Sequence, residues 1–394
     1  MNQGFNRDRF TWLAYLFLAF YGFFINVIGP ITPFLKDELG LSYTVSSLHY
    51  TAFALGILLV GLGGDLVSRR IGRWRALWLG AAGISLGTFL LIAGRNPLVT
   101  IGAAFLMGLV GSLILAIIPS ALADRHGELR GVALSEGNML ASLVSTAAPL
   151  MVGFFARTAG GWRTALAIMA FAPILMYLGF RNADAHGETS TSSSSVSADA
   201  NQPLPALFWA YWAALVLGVA VEFCMLSWSA DYLNKILGLA RADAAQAVGL
   251  FLAGMIVGRL AASRLLQRFS TPALVSASIL VAGAGFLLFW LGSSAVWALA
   301  GLFLTGLGVA GLYPLILSLA IGAAGTRTVQ ASARATLASG TGILILPLLL
   351  GWLADGLGIR LAYGVVALLL VLVFAIIQAT RRAAPLQAAS EGGA

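Results

Sequence analysis

Charged residues are scarce in this chain of 394 residues: Asp, Glu, Lys and Arg make up 10% of it, while 59% is hydrophobic. An average soluble domain is about a quarter charged, so this composition cannot provide an ordinary water-exposed surface. Hydrocarbon is the solvent that fits it, and we expect a membrane protein surrounded by lipid. The net charge of +8 could indicate nucleic-acid binding, but the 23 Lys and Arg are scattered among short loops rather than gathered on one face. We expect no nucleic-acid partner.

Cysteine and histidine are nearly absent as well. The one cysteine, Cys224, lies in an apolar segment, which excludes an intramolecular disulfide and a cysteine metal site. The three histidines (His49, His126 and His186) lie far apart, and neither an HExxH spacing nor a phosphate-binding loop occurs. We therefore expect no metal and no cofactor. We also expect no enzyme, because no nucleophile, base and orienting group can be placed at one membrane depth.

Long apolar runs are what the chain does contain. A membrane-spanning helix needs about 20 mostly apolar residues. Twelve runs of suitable length occur, near 10–33, 44–66, 74–94, 97–121, 130–156, 162–180, 206–233, 244–266, 272–292, 295–321, 332–354 and 360–380. The first is too long for the apolar core of a cleaved signal peptide, so we expect it to be retained. The sequence predicts an all-α polytopic membrane protein of twelve spans.

One polar stretch divides these runs into six and six. Residues 181–205 read RNADAHGETSTSSSSVSADANQPLP, a Ser-rich composition that is typical of a flexible linker. We expect a six-helix bundle over residues 1–180, a second over 206–380, and a tail over 381–394. Because the linker joins two spans on the same side as the chain termini, we expect it in the cytoplasm.

The two halves match one another at a constant offset of 198 residues without gaps. Leucine matches arise easily in such a composition, so the matched glycines and prolines carry the comparison. They pair Gly56 with Gly254, Gly108 with Gly306, Pro149 with Pro347 and Gly153 with Gly351. Parallel repeats of this kind are common in secondary transporters. We therefore expect two pseudo-symmetric six-helix bundles.

The positions of the basic residues predict the orientation in the membrane. With a cytoplasmic N-terminus, most of the 23 Lys and Arg fall in or beside cytoplasmic loops and tails, as the positive-inside rule requires. An even number of spans returns the C-terminus to the same side. We expect a multi-pass monomer in the cell (inner) membrane, with both termini in the cytoplasm.

A loop motif after the second span gives the chain a family resemblance. The motif is a Gly, then an Asp four residues on, then a basic-Gly-basic run. Its members are Gly61, Asp65, Arg69, Arg70, Gly72 and Arg73. With six plus six spans and a long central linker, it resembles the Major Facilitator Superfamily over the whole chain. The resemblance implies a secondary active transporter that moves a small organic solute by alternating access, with spans 1, 4, 7 and 10 lining a central cavity.

The resemblance leaves the branch of the family open. Drug/proton antiporters of this superfamily carry an arginine in the fourth span, whereas residues 103–108 here carry no charge. This difference favours a polar solute over a drug-like one. Efflux of an amphipathic compound, translocation of a lipid by the same fold, and a transporter-like sensor are the alternatives.

Glu222 is the leading candidate for a mechanistic residue. It lies in the middle of the seventh span, with no basic residue within two turns along the chain. An ionisable group inside a bilayer is costly and is a functional candidate by default. The resemblance places it beside the solute path, where a carboxyl that gains and loses a proton would couple protons to transport. The alternative is a structural Glu held by hydrogen bonds.

Four further residues of the spans could contact a solute: Asn26, Tyr21, Trp228 and Tyr313. Asn26 lies near the position that the repeat offset assigns to Glu222, and its amide could bind a polar solute or hold two helices together. The three aromatic residues could stack on a sugar or an aromatic ligand. Packing and interface anchoring are the commoner uses of aromatic residues in membrane helices.

Four charged residues near the cytoplasmic ends of the spans predict a gate. Glu136 lies as deep in the fifth span as Arg259 does in the eighth, and Arg334 is the repeat mate of Glu136. The resemblance implies that spans 5 and 8, and spans 2 and 11, pack across the halves. We expect Glu136 to pair with Arg259, and Asp65 with Arg334, when the cytoplasmic side is shut. The alternative for Asp65 and Arg334 is an ordinary charge at a helix end.

Overall fold

The computed structural model describes residues 5–181, 203–325 and 327–391, without the side chains of 64–66, 69, 328, 329, 333, 336 and 383–391. Most of the predicted linker lies outside these residues, so the predicted domain boundaries stay predictions. The described chain contains no strand. Its α-helices are α1 (Arg9–Leu39), α2 (Tyr43–Ile71), α3 (Arg73–Ala93), α4 (Pro97–His126), α5 (Arg130–Ala156), α6 (Arg163–Ala170), α7 (Ala172–Phe180), α8 (Ala206–Leu237), α9 (Arg241–Leu265), α10 (Thr271–Leu291), α11 (Ala295–Val309), α12 (Leu312–Ala323), α13 (Thr328–Leu357), α14 (Ile359–Ala362) and α15 (Gly364–Glu391).

These helices confirm a polytopic membrane protein. In the described residues, 11 helical stretches are long and apolar enough to cross a membrane. One of them, Pro97–Ala156, has 60 residues and contains both α4 and α5, joined by a 3₁₀ turn at Gly127–Leu129. Since about 20 residues cross the hydrocarbon, α4 and α5 are two crossings. The helices therefore fit the predicted twelve spans.

Local sequence signals set the ends of the first helices. Asp8 caps α1 by accepting a hydrogen bond from the backbone N–H of Thr11 (2.8 Å), and Ser42 caps α2 in the same way. The end of α1 was predicted near residue 33, but the helix continues to Leu39. Pro33 lies within it, and Gly40 ends it in the left-handed conformation (φ 62°).

Three predicted spans are interrupted: the twelfth at Tyr363, between α14 and α15, and two others just before a proline. The sixth span divides into α6 and α7 at Phe171, two residues before Pro173, and the tenth divides into α11 and α12 before Pro314. A proline ring has no N–H and clashes with the carbonyl four residues earlier, so a helix bends or breaks there. Pro119, Pro149 and Pro347 lie inside the unbroken α4, α5 and α13.

The chain forms two compact units. Unit 1 comprises Met1–Ser194 with Ala240–Gly249, and unit 2 comprises Ser195–Leu239 with Leu250–Ala394. In unit 1, α1 packs on α5, α3 on α4, and α2 on α4. In unit 2, α8 packs on α13 and α10 on α11. The spans in contact in unit 2 correspond, through the repeat, to spans in contact in unit 1.

The repeated glycines explain this correspondence. A Cβ on Gly56 of α2 would collide with the backbone of α4 at Gly108 and Leu109, and a Cβ on Gly254 of α9 would collide with the backbone of α11 at Phe303. A Cβ on Gly306 would likewise collide with the backbone of α9. Only glycine permits such close crossings. The same crossing occurs twice, which confirms that the two bundles are pseudo-symmetric.

Candidate transport site

The central part of α8 carries Glu222 in unit 2. All residues from 223 to 233 are buried, whereas Glu222 keeps part of its accessible surface even though the surrounding protein desolvates its carboxyl. Gly218 lies one turn away on the same helical face and Ser229 two turns away. The helix therefore presents a single partly accessible carboxyl at the edge of a buried segment.

Arg259 of α9 lies within electrostatic range of Glu222. Its positive charge acts on the Glu222 carboxyl electrostatically, and both residues belong to unit 2. This neighbour is not predictable from the sequence, because Arg259 lies on another helix. The predicted partner of Arg259 was Glu136; that pairing stays a prediction.

Tyr313 lies at the start of α12, a helix that packs on α8. It follows Leu312 at the start of α12, and a Cβ built on Gly218 would lie 3.5 Å from the Leu312 Cβ. Tyr313 is partly exposed, and its hydroxyl has no hydrogen bond to the residues that the structure describes. The start of α12 thus packs through Leu312 on the α8 turn that precedes Glu222.

Trp228 has a different environment. It is buried (1% exposed), and its indole Nε1–H donates a hydrogen bond to the carbonyl of Pro347 on α13 (3.1 Å). The side chain therefore holds α8 to α13 in this structure. The packing interpretation fits these contacts better than stacking on a solute does.

In unit 1, Tyr21 and Asn26 both lie on α1. Tyr21 is buried, with its hydroxyl 3.4 Å from the Ser112 hydroxyl of α4. Asn26 is partly exposed, and its Nδ2 donates to the Gly22 carbonyl one turn earlier (2.9 Å). Within the described residues this is the one hydrogen bond of the Asn26 amide. Its carbonyl oxygen is therefore an available acceptor.

Sequence reasoning missed a second set of polar groups on α8. Asp231 is completely buried, as is Ser229, and Ser227 is 2% exposed. The hydroxyl oxygens of Ser227 and Ser229 have no hydrogen-bond partner among the described residues. The available signal was an Asp inside an apolar run, near the predicted end of the seventh span.

The structure describes three of the four side chains of the predicted cytoplasmic gate, those of Glu136, Arg259 and Arg334. Glu136 is bound by Arg7, whose Nε and Nη2 donate to its two carboxylate oxygens (2.8 and 2.6 Å), and by the Tyr15 hydroxyl (3.3 Å). Arg334 is exposed on α13. The side chain of Asp65 lies outside the described residues, so its pairing with Arg334 stays a prediction.

The loop motif forms the turn between α2 and α3. Gly72 ends α2 and precedes α3 with φ 82°, a conformation that favours glycine. Arg73 forms an ion pair with Asp124 near the end of α4 (2.5 Å), while Gly61 and Arg70 are exposed. The side chain of Arg69 is outside the description. The described part of the motif therefore anchors the turn to α4.

The described residues contain no group of three or more His, Cys, Asp or Glu that could hold a metal ion. The polar groups described above are a carboxyl, an arginine and a phenol hydroxyl in unit 2, and an amide and a phenol hydroxyl in unit 1. These groups exchange protons and form hydrogen bonds with a polar solute.

Comparison with known proteins fits this description. The chain is 27% identical over 396 residues to a glucose/galactose transporter of Brucella abortus (biovar 1, strain 9-941), covering 92% of the chain and 90% of the relative. It is 26% identical over 168 residues to the galactose-proton symporter of Escherichia coli (strain K12), covering 42% of the chain and 36% of the relative.

Another match extends over less than half of the relative. The chain is 30% identical over 165 residues to an uncharacterized MFS-type transporter of Yersinia pestis, covering 41% of the chain and 42% of that protein. A bacterial homologue of the human lysosomal transporter Spinster, solved in an inward-facing and occupied conformation, superimposes with a TM-score of 0.79 at 15% identity. That superposition covers 96% of this chain and 98% of the homologue, and it shows a shared fold.

A family model also matches nearly the whole length, at residues 13–333 and 232–393, and its description is Major Facilitator Superfamily. The fold, the repeat and this match agree. The chain belongs to the Major Facilitator Superfamily, a family of membrane transporters and not of enzymes.

Proposed function

We propose that the protein is a proton-coupled secondary transporter of a monosaccharide or a similarly hydroxylated solute, with Glu222 as the proton-binding group. The observation that carries the proposal is the position of Glu222: a partly accessible glutamate in the middle of a buried span, within electrostatic range of Arg259. Two relatives that transport sugars, one of them a proton symporter by name, support it.

The Glu222–Arg259 neighbourhood gives the proton a physical effect. While Glu222 is charged, it neutralises the field of Arg259 in a region of low dielectric constant, where such interactions are strong. When Glu222 binds a proton, its negative charge is lost and no longer offsets the positive charge of Arg259. The arginine is then stabilised only by other negative or polar neighbours. Protonation therefore changes the relative energies of conformations in which Arg259 has different neighbours, as coupled transport requires.

The solute class follows from the available hydrogen-bonding groups. Asn26 offers a carbonyl oxygen in unit 1, and Tyr313 offers a hydroxyl in unit 2; neither atom is satisfied by the described residues. Sugar hydroxyls both donate and accept, so they fit an amide oxygen and a phenol. A hydrophobic drug would use neither. We further propose uptake across the bacterial inner membrane, with both termini in the cytoplasm.

Uptake by proteoliposomes tests the proposal. Purified wild-type protein with an imposed gradient, acid outside, should accumulate labelled D-galactose or D-glucose above the external concentration. Glu222→Gln should abolish accumulation and keep the exchange of internal for external sugar, because exchange needs no net proton movement. Glu128→Gln is the matched control: it removes an exposed carboxyl in the turn between α4 and α5 and should accumulate normally.

Each alternative predicts a different result. Accumulation by Glu222→Gln with an unchanged pH dependence would show that Glu222 does not couple protons. If the wild-type protein moves neither sugar, the solute class is wrong. Movement of an amphipathic dye or a labelled lipid under the same gradient would then identify efflux or lipid translocation.

A further inference from the structure

Four aromatic rings meet in unit 1, where α3 approaches the end of α7. The Trp78 ring of α3 lies edge-on to the Tyr177 ring of α7, with the two centroids 5.3 Å apart. The rings of Trp74 (5.9 Å) and of Phe17 on α1 (5.0 Å) also lie edge-on to Trp78. Edge-to-face contacts of this kind hold rings in a defined arrangement. Tyr177 is nevertheless 54% exposed, so the cluster presents one ring at the surface of the unit.

Two arginines lie one helical turn from this ring pair. Arg75 precedes Trp78 by three residues on α3, and Arg181 follows Tyr177 by four residues, in a helical conformation that continues α7. Each arginine therefore lies on the same helical face as its ring. Because α3 begins, and α7 ends, at the membrane face where α1 begins, both arginines lie toward that face. From the rise of an α-helix, they are about 5 Å nearer to it than the rings are.

Neither arginine is neutralised within the part of the chain that the structure describes. Both side chains are exposed, and they form no hydrogen bond or ion pair with the described residues. The neighbouring Arg73, in contrast, pairs with Asp124. Two guanidinium groups at one level beside a membrane surface attract an anion, and their planar N–H donors match the oxygens of a phosphate. A phosphate group is therefore the chemical complement of this pair.

An apolar strip continues from the rings toward the middle of the membrane. Ala82 lies one turn beyond Trp78 and is exposed, and Ile174 lies one turn beyond Tyr177 and is 55% exposed. Apolar side chains that are exposed on a membrane-spanning helix face lipid. From the membrane face inward, the surface is thus basic, then aromatic with a phenol hydroxyl that no described residue binds, then apolar. A phospholipid has the same order of groups: phosphate, ester carbonyls and acyl chain.

Unit 2 lacks this arrangement, although it has the corresponding helix contact. At the three positions that the repeat offset of 198 assigns to Arg75, Tyr177 and Arg181, unit 2 carries alanine each time. These positions are Ala273, Ala375 and Ala379. The corresponding helices, α10 and α15, still pack on each other. Packing of these helices therefore requires neither the ring nor the arginines, which indicates a separate use for them in unit 1.

We infer that unit 1 binds one anionic phospholipid at this surface, with the phosphate between Arg75 and Arg181 and an acyl chain along the contact of α3 with α7. The Tyr177 hydroxyl donates to an ester carbonyl of the lipid. Because both helices hold the same molecule, bound lipid stabilises the folded unit by mass action. The alternative is ordinary interface anchoring, in which aromatic and basic side chains meet the headgroup layer without selecting a lipid. The inference depends on the membrane fold and not on the solute or the coupling ion.

Native mass spectrometry of the purified full chain with added phosphatidylglycerol measures this binding. The wild-type protein should bind one phosphatidylglycerol about tenfold more tightly than phosphatidylcholine, whose headgroup has no net charge. Arg75→Gln and Arg181→Gln should each weaken the binding of phosphatidylglycerol about fivefold, and the double variant about 25-fold, as expected for basic residues beside an anionic headgroup. Phosphatidylglycerol should also raise the thermal unfolding midpoint of the wild type more than that of the double variant.

Two further variants separate the proposed site from its alternatives. Tyr177→Leu keeps an apolar side chain and removes the ring and the hydroxyl, so it should weaken the binding of phosphatidylglycerol about threefold. Arg268→Gln is the matched control: it removes an exposed arginine of unit 2 at the same membrane face and should bind the lipid as the wild type does. All four substituted side chains are exposed, so we expect folded variants, which thermal unfolding without added lipid checks.

Equal affinity of the wild-type protein for the two lipids would overturn the inference, and this measurement needs no variant. Unchanged binding by the double arginine variant would overturn it as well, because the lipid would then surround the protein without selection. If Arg268→Gln weakens binding as much as Arg75→Gln does, or if Tyr177→Leu has no effect, positive charge alone attracts the lipid and no site exists. Because no solute is present, failure of sugar uptake leaves each of these outcomes unaffected.

Discussion

In unit 1, charged side chains pair at the helix ends, whereas in unit 2 aromatic side chains donate hydrogen bonds to backbone carbonyls between the helices. Arg7 holds Glu136 at one membrane face, and Arg163 holds Glu38 at the other (2.5 Å). The Trp162 indole also donates to Glu38 (2.9 Å). These contacts tie α1 to α5 and α6 where water is available, so they depend on ionic strength.

In unit 2, the contacts that join the helices involve aromatic side chains that are buried in the bundle. Trp228 donates to Pro347, the Tyr232 hydroxyl donates to the Trp290 carbonyl (2.6 Å), and the Tyr363 hydroxyl donates to the Cys224 carbonyl (3.3 Å). An aromatic ring fills volume in the bundle while its polar atom satisfies one carbonyl. Neither partner is a formal charge, so salt should not weaken these contacts.

The two units share their glycine helix crossings and differ in their polar contacts. Both units keep the glycine crossings at Gly56 and Gly108, and at Gly254 and Gly306, because a side chain there would prevent the helices from meeting. The polar contacts are not constrained in this way. At the repeat mate of Glu136, unit 2 carries Arg334, which is exposed.

The largest expected loss of stability comes from substitutions at the glycine crossings that both units share. Gly108→Leu and Gly306→Leu each place a large side chain against the backbone of the crossing helix. Each variant should lose about 3 kcal/mol or more of stability, seen as aggregation on extraction or a strongly lowered thermal unfolding midpoint in detergent. Gly102→Leu and Gly283→Leu are the controls, because open space surrounds both positions. Tolerance at one crossing and not at the other would show that the two are not equivalent.

The next prediction concerns the neutral contacts of unit 2. Trp228→Phe keeps an aromatic ring and removes the donor to Pro347, leaving a buried carbonyl with one hydrogen bond fewer. We expect a loss of about 1 kcal/mol, equal at low salt and at 1 M salt. Trp209→Phe, at a tryptophan that is 44% exposed, should change the unfolding midpoint little. A Trp228→Phe effect that disappears in salt would contradict this account.

A smaller and salt-dependent effect is expected in unit 1. Glu38→Gln keeps a side-chain oxygen that can accept the hydrogen bond from the Trp162 indole. It removes the negative charge that binds Arg163. The variant should lose about 0.5–1 kcal/mol at low ionic strength, and the difference from wild type should nearly vanish at 1 M salt. Thermal unfolding at two salt concentrations measures both values. If salt changes the stability loss of Glu38→Gln and of Trp228→Phe by the same amount, the proposed difference between the two units is wrong.

Parts of this architecture are predictable from sequence because they depend on local composition or on repetition. The spans follow from apolar length, and the crossings follow from glycines that recur at one offset. The breaks at Phe171 and before Pro314 also lie next to prolines, yet a proline alone does not predict a break, since Pro149 and Pro347 lie in unbroken helices. Whether a proline breaks a helix depends on neighbours that satisfy the freed carbonyl.

Partners on different helices are what the sequence could not provide. Glu136 is bound by Arg7 from the segment before α1, and Glu222 lies within electrostatic range of Arg259 from α9. Trp228 could equally have faced a solute until its indole was placed against Pro347. Each assignment depends on the rotation of a helix about its axis, which an apolar sequence with little periodicity does not specify.

The smallest expected effect concerns the starts of the first helix in each unit. Burial alone would raise the pKa of Asp8, but hydrogen bonds from the Thr11 N–H and O–H and from Arg125, together with the charge of Arg125, lower it below its ordinary value. The stability that Asp8 contributes is therefore complete above the unfolded pKa of about 3.9 and is lost as the pH falls through the lower folded pKa. The first helix of unit 2, α8, begins after Pro205 without a side-chain cap. Its start therefore has no pH-dependent contribution to stability from a capping carboxylate.

Asp8→Asn isolates this contribution, because asparagine is also a good helix cap and does not titrate. At pH 7 the variant should unfold at a slightly lower temperature than wild type, a difference of about 0.5 kcal/mol for a partly exposed pair. Between pH 5 and pH 3 the two midpoints should converge, because protonated Asp8 loses the interaction with Arg125 that asparagine never had. Asp124→Asn is a useful second variant, since it removes the ion pair with Arg73 and leaves the α1 cap intact. A constant difference between wild type and Asp8→Asn down to pH 3 would show that the charge of Asp8 does not stabilise the start of α1.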